Sequence, residues 1–156
     1  MDTNDLEYVG FWARVGAALI DTLAVMVIIV PALVMVYGWE YFFSDKLVQG
    51  PADIAISWVF PAIACIWFWR KLRATPGKML IGAEVVDADT GGPISLSQSV
   101  IRYLGYFVST IPLGLGLMWV GFDPRKQGWH DKMANTVVVR PKHRGPKAVA
   151  FSQRQP

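Results

Sequence analysis

The sequence predicts an all-α membrane protein: two full transmembrane helices plus a broken, re-entrant or interfacial, helical hairpin, with a small two-stranded cytoplasmic sheet. Composition is the first reason. Hydrophobic residues make up 53% of the 156-residue chain and charged residues 17%, with a mean hydropathy of +0.34, whereas a soluble domain carries about 25% charged residues. Clustering is the second. Val15 to Val36 contains one charge, Asp21, and the stretches Ile54 to Trp69 and Tyr103 to Phe122 contain none. A helix crosses a bilayer with roughly 20 such residues. The aromatic residues are the third. Tyr8, Phe11 and Trp12 precede the first stretch, Tyr37, Trp39, Tyr41, Phe42 and Phe43 follow it, and Trp67, Phe68 and Trp69 close the second. Rings with one polar tip favour the headgroup layer.

The elements follow in order. Residues 1–140 read as a single membrane domain. Its helices are expected at about 11–38, 53–70, 96–111 and 113–122, and its strands at about 80–86 and 136–140. The opening residues, MDTNDLEY, are acidic, so the first helix reads as a retained anchor and not as a signal peptide, which opens with positive charge. Pro31 and Pro61 predict kinks within the spans. In the third stretch, Pro112, Gly114 and Gly116 predict the break, because proline removes a helical hydrogen bond and glycine weakens a helix. LIGAEVV and TVVVR are rich in β-branched residues, and DADTGGP between them is turn chemistry. The tail, 141–156, is basic and rich in proline and glycine, and is expected to be disordered.

Orientation comes from the basic residues. The segment from Glu40 to Asp53 has only Lys46, whereas Arg70, Lys71, Arg73 and Lys78 fall in the next segment, and Arg125, Lys126, Lys132, Arg140 and Lys142 follow the third stretch. Basic segments stay cytoplasmic. The N-terminus, the 70–99 segment and the tail are therefore expected on the cytoplasmic side, which requires the third stretch to turn back. The tail's charge suits anionic lipid, and no nucleic-acid module accompanies it.

Charges within apolar segments are costly and face a partner or a cavity. At 100° per residue, Gly10, Ala13, Arg14, Ala17, Asp21 and Ala24 share one face of the first helix. Small residues there permit close helix approach. Gln98, Arg102, Gly105, Ser109, Pro112 and Gly116 form a second polar and small stripe. Arg102 is expected to reach Asp21 or to lie against the interface. Cys65, the single cysteine, reads as a small buried apolar residue.

Three segments together resemble the RDD family of prokaryotic membrane proteins. They are Arg14 with Asp21, then Thr75-Pro76-Gly77-Lys78-Met79-Leu80-Ile81-Gly82 with the turn behind it, and Phe122-Asp123-Pro124-Arg125-Lys126-Gln127-Gly128-Trp129-His130-Asp131. The resemblance implies a signature of one arginine and two aspartates. Arg14 and Asp21 fill the first two positions, and Asp131 or its rival Asp123 the third. It implies possible transport and no specific activity. No enzyme, cofactor or metal is expected. His130 and Asp131 stand next to each other with no nucleophile motif beside them, and Thr75 to Lys78 lacks the glycine spacing of a phosphate loop. Two functions remain: a subunit handling an ion or small polar solute, working as a homo-oligomer or with a partner membrane protein, or a non-transporting accessory whose charged helix face binds partner helices.

Overall fold

The computed structural model describes residues 5–142. The expected disordered tail therefore lies, from residue 143 onward, outside the described residues. Strand β1 (Leu6–Tyr8) leads straight into helix α1 (Phe11–Tyr37), and a 3-10 turn (Trp39–Phe43) caps its far end. The chain returns through α2 (Pro51–Ile54), a π-helical turn (Ala55–Val59) and α3 (Phe60–Leu72). Pro51 stands at the first helical position, where a missing N–H costs nothing. Pro61 cannot donate to the turn ahead of it, and that turn is the one that widens to π geometry. Two helices, Phe11–Tyr37 and Pro51–Leu80, are long and apolar enough to cross a membrane.

Next come α4 (Pro76–Leu80), β2 (Glu84–Asp87), α5 (Leu96–Thr110), α6 (Leu115–Met118), a 3-10 turn (Trp119–Gly121), α7 (Trp129–Met133) and β3 (Thr136–Pro141). A capping box starts α5: the Ser95 hydroxyl accepts the Gln98 N–H at 3.2 Å, and the Gln98 side chain accepts the Ser95 N–H at 2.9 Å. The expected break in the third apolar stretch is present. The chain bends by 112° between α5 and the Leu115–Gly121 segment. Pro112 has no N–H to continue the helix, and the turn runs through left-handed backbone at Leu113 and Gly114.

The sheet corrects the expectation of two strands. It has three antiparallel strands in the order β1-β3-β2. Leu6 lies opposite Pro141 and Tyr8 opposite Val139, while Glu84 faces Val139 and Asp87 faces Thr136 across the other side of β3. A three-residue strand carries no alternation to read, so Tyr8 looked like an interface aromatic only. The strand placed at 80–86 also starts late. Met79 and Leu80 belong to α4, and Gly82 turns the chain with φ +65° before the strand proper.

Below the sheet is the core: Val9, Trp69, Ala83, Val85, Ile94 and Val138, with Cys65, Tyr103 and Tyr106 half-buried against it. Since β1 feeds α1 and the Val85 N–H donates to the Arg73 carbonyl at 2.6 Å, the sheet sits where α1 begins and α3 ends. At the other end of the helix pair, Asp53 is buried and accepts Tyr41 Oη (2.9 Å), Gln49 N (3.0 Å) and Ser57 Oγ (2.7 Å).

Glycine sets the closest approach between α1 and α4. A Cβ on Gly77 would stand 2.0 Å from the Ala17 carbonyl oxygen, while one on Gly16 would meet nothing within 4 Å. Gly77→Ala should therefore destabilise the detergent-solubilised protein by at least about 2 kcal/mol in thermal unfolding, and Gly16→Ala by less than about 0.5 kcal/mol. Equal effects would mean that the α1–α4 contact is not formed.

Candidate functional site

Charged residues gather around the carboxylate of Asp131. Three residues into the short helix that starts after Gly128, Asp131 turns back and accepts the Gly128 N–H with Oδ2 at 3.0 Å. The same oxygen takes Arg14 Nη1 from α1 at 2.5 Å, and Oδ1 pairs with Arg102 Nη1 from α5. Asp131 and Arg102 are fully buried, and the Arg14 side chain is 11% exposed. One carboxylate thus ties together helices that begin far apart in the chain. Arg14 completes its own valences on backbone, giving Nε to the Val9 carbonyl (3.0 Å) and Nη2 to the Lys126 carbonyl (2.6 Å). Arg102 Nη1 also donates to the Thr136 hydroxyl on β3.

Aromatic rings wall this cluster. Trp69, Tyr106 and His130 form a stack, with centroids 6.1 Å apart in the first pair and 4.0 Å in the second. The Arg102 guanidinium carbon lies 5.2 Å from the Trp69 ring centre and 5.9 Å from that of Tyr106, within cation–π range. The stack closes because α5 has no side chain at Gly105, where a Cβ would sit 2.8 Å from His130 Cα. Ser109 holds α7 from the same face of α5, its hydroxyl accepting the His130 N–H at 3.1 Å.

Asp131 and His130 have opposite balances. Burial pushes the Asp131 carboxyl up, but Arg102 and Arg14 pull harder, and it stays well below the ordinary carboxylate range. For His130, burial pushes the imidazole down, Asp131 raises it, and Arg102, Arg14 and Lys78 lower it further, to about 3. The ring is neutral at physiological pH. Its Nε2 stands 3.5 Å from Asp131 Oδ1, too far for a firm hydrogen bond.

Asp123, the rival for the third signature position, makes no ion pair with Arg14 or Arg102. It shapes the loop before α7: Oδ2 accepts the N–H groups of Arg125 (3.0 Å) and Gln127 (3.2 Å), and Oδ1 pairs with Lys132. Burial raises the Asp123 carboxyl, and Lys132 and the Gln127 N–H outweigh it, so the group lies below its usual range. The loop it forms presents the Lys126 carbonyl to Arg14 and fixes Gln127, whose Nε2 donates to the Thr136 carbonyl at 2.9 Å.

Asp21 belongs to a second, adjoining cluster and corrects the expectation that Arg102 reaches it. Its Oδ2 accepts the Thr75 hydroxyl at 2.5 Å and its Oδ1 the Gly77 N–H at 2.7 Å, so it caps α4 from α1. Pro76 occupies the next position, where no N–H is needed. Lys78 is buried, and its Nζ donates to Thr75 Oγ1 at 3.3 Å. On α1, Ala17 is fully buried between Arg14 and Asp21. Ala24, placed on the same face, is exposed, because α4 covers α1 only up to Asp21.

Sequence reading missed Trp69, Tyr106, Thr136, Gln127 and Asp53. Trp69 and Tyr106 were indistinguishable from interface aromatics, and Asp53 looked like a loop charge. For Gln127 the signal was its place in the third motif ahead of Asp131, and for Thr136 its place at the head of TVVVR.

Two long apolar helices, a bent apolar pair and a small sheet joined by buried ion pairs are the features of a membrane protein. The chain belongs to the RDD family: the family's model, described as RDD family, matches residues 8–135. An uncharacterized Rickettsia prowazekii protein is 36% identical over 48% of this chain and 41% of its own length. The Bacillus subtilis uncharacterized protein YckC is 30% identical over 87% of each chain, and the uncharacterized membrane protein YteJ of the same organism is 28% identical over 86% of this chain and 82% of its own. The chain thus spans well under half of the Rickettsia relative. No solved structure matches it significantly.

Asp131→Asn removes the charge that two buried guanidinium groups share, and it should cost about 3–5 kcal/mol in unfolding of the detergent-solubilised protein. A loss below about 1 kcal/mol would show that the arginines find other partners. His130 makes a separate forecast. Its unfolded form takes a proton near pH 6.5 and its folded form not until about pH 3, so its contribution is complete above pH 6.5 and falls as the pH drops. The expected slope between pH 6.5 and 5 is up to about 1.4 kcal/mol per pH unit. His130→Asn should flatten it; an unchanged slope in that variant would assign the acid sensitivity to another group.

Proposed function

We propose that this RDD family membrane protein acts as a non-transporting accessory or scaffold unit. On this reading its long helices present apolar faces to lipid and to partner helices, from a second copy or another membrane protein. The supporting observation is how the ionisable residues are used. Arg14, Asp21, Arg102 and Asp131 engage one another or the protein's own backbone and hydroxyl groups. Meanwhile the most apolar windows of the two long helices are only 6% and 11% buried, so the uncovered surface is the apolar one.

Transport of an ion or small polar solute is the second reading. Lys78 favours it, as a buried ammonium held by a single hydroxyl next to Asp21. Two long helices enclose little of a path, so transport would require a homo-oligomer or partner subunits. On either reading the protein is integral to a prokaryotic cell membrane. Arg70, Lys71 and Arg73 on one side of the helix pair support a cytoplasmic N-terminus, 70–99 segment and tail. On the scaffold reading His130 and Asp131 are structural, and the stacking of the ring on Tyr106 and the two arginines on the carboxylate support that role.

Ion flux into proteoliposomes decides between the readings. The scaffold reading expects the same flux for wild type, Asp21→Asn and protein-free vesicles. A wild-type flux abolished by Asp21→Asn, with the variant still folded, would replace it with the transport reading. Orientation has its own test in a Cys65→Ala background. Asp89→Cys should react with an impermeant reagent only from the cytoplasmic face and Asp45→Cys only from the outer face; reaction of both from one face would reject the arrangement.

A further inference from the structure

The cluster around Asp131 does not balance, in charge or in hydrogen bonds. Arg14, Lys78 and Arg102 bring three cations, against the carboxylates of Asp21 and Asp131. Lys78 is 8% exposed and Arg102 fully buried, and all three cations lie close enough to His130 to depress it. Burying an uncompensated charge is costly, at membrane depth as in a protein core.

The hydrogen-bond deficit is localised on Arg102. Arg14 has a partner for each of its three nitrogens, but Arg102 uses only Nη1, for Asp131 and Thr136. Its Nε and Nη2 are buried and make no hydrogen bond, with the Tyr106 hydroxyl the near group that could accept, and the indole Nε1 of Trp69, whose ring lies against the same guanidinium, makes none either. The Nε–H and the inner Nη2–H of an arginine leave one edge of its plane side by side, in the fork that binds an anion with two bonds. A buried donor left without a partner is costly, so three of them about one guanidinium and its neighbouring ring call for an acceptor.

We propose that this corner, the Nε/Nη2 edge of Arg102 with the Trp69 indole N–H, binds one small monovalent inorganic anion. The orphaned nitrogens and the charge point the same way, and the orphaned acceptor, Asp131 Oδ1, already faces Arg102 Nη1 in the ion pair. Every orphaned nitrogen is a donor, and the residual charge is a single positive one, so an anion such as chloride or nitrate answers both. A water molecule would supply acceptor lone pairs but leave the charge. The anion would act as a built-in counter-ion between α3, α5 and the sheet, tying the stability of the fold to the anion supply. This goes beyond the scaffold reading and does not depend on it.

The test uses the full chain, purified throughout in sodium gluconate and detergent. Thermal unfolding is followed while gluconate is exchanged for chloride, and separately for nitrate, at constant ionic strength. Wild type should gain stability saturably with at least one of the two. Trp69→Phe keeps the ring and loses one donor, so its half-saturating concentration should rise about tenfold, the worth of one hydrogen bond to a charged group. Arg102→Lys keeps the charge beside Asp131 but lacks the fork, and it should lose the saturable gain. No saturable gain with either anion would overturn the proposal in favour of a bridging water. An unchanged half-saturation in Trp69→Phe, or a full response in Arg102→Lys, would place any bound anion elsewhere and overturn it equally.

Discussion

A carboxylate shared by two arginines is the contact on which the rest of the fold depends. Asp131 is reached by Arg14 from the first turn of α1 and by Arg102 from the second turn of α5, and its own backbone belongs to α7 just ahead of β3. Three elements thus meet at one side chain. The energetic argument concerns specificity more than net stability, since a well-packed apolar replacement of a buried ion triad can be just as stable. Apolar side chains, however, would pack α1 against α5 in several rotations. Two guanidinium groups converging on opposite oxygens of one carboxylate permit one. Where lipid competes with protein for every apolar face, the driving force for helix packing is weak, and a geometric constraint of this kind is worth more than it would be in water.

Around this contact the chain is drawn in by glycine. Gly77 lies against the Ala17 carbonyl, Gly105 against His130, and Gly116 against Ser109 and the Trp129 ring. Each removes a side chain at a place where a polar partner must come within hydrogen-bond distance: Asp21 to the Gly77 N–H, and Ser109 to the His130 N–H. The glycines and the charges work as a set. Adding a methyl group at Gly105 would push His130, and with it Asp131, away from Arg102.

How much of this could be read from the sequence depended on the range of the signal. The two long helices, the break at Pro112 to Gly116, the small polar stripe through Arg102, Gly105 and Ser109, and the inward face of Arg14 and Asp21 are local periodicities, and all of these elements are present. The partnership between Arg102 and Asp131 was not legible, because nothing in a single chain states which buried cation meets which carboxylate. Asp21 was just as near to the expectation. β1 escaped for a different reason: a strand of three residues acquires its identity from β3, far away in sequence. Asp53 escaped because a buried carboxylate satisfied by Tyr41, Gln49 and Ser57 looks, in sequence, like any loop aspartate.

The depth of the charges bears on what they do. Asp21 is ten residues beyond Phe11, about 15 Å along α1 at the helical rise, which in a bilayer core about 30 Å thick would be near the midplane if α1 entered the lipid at its first residue. Yet Asp21 caps α4 there, and non-helical backbone at Thr75 and the exposed ends of α4 belong in lipid only under protein cover. The conflict disappears if the first three turns of α1 stand in the headgroup layer beside the sheet. Trp12, 81% exposed, is then an interface anchor. The remaining helix, Thr22 to Tyr37, covers about 24 Å and carries no charge. On that placement the ion cluster occupies a protein-walled layer at the edge of the membrane instead of a path through it, and the charges join a sheet to a helix pair where water, lipid and protein meet.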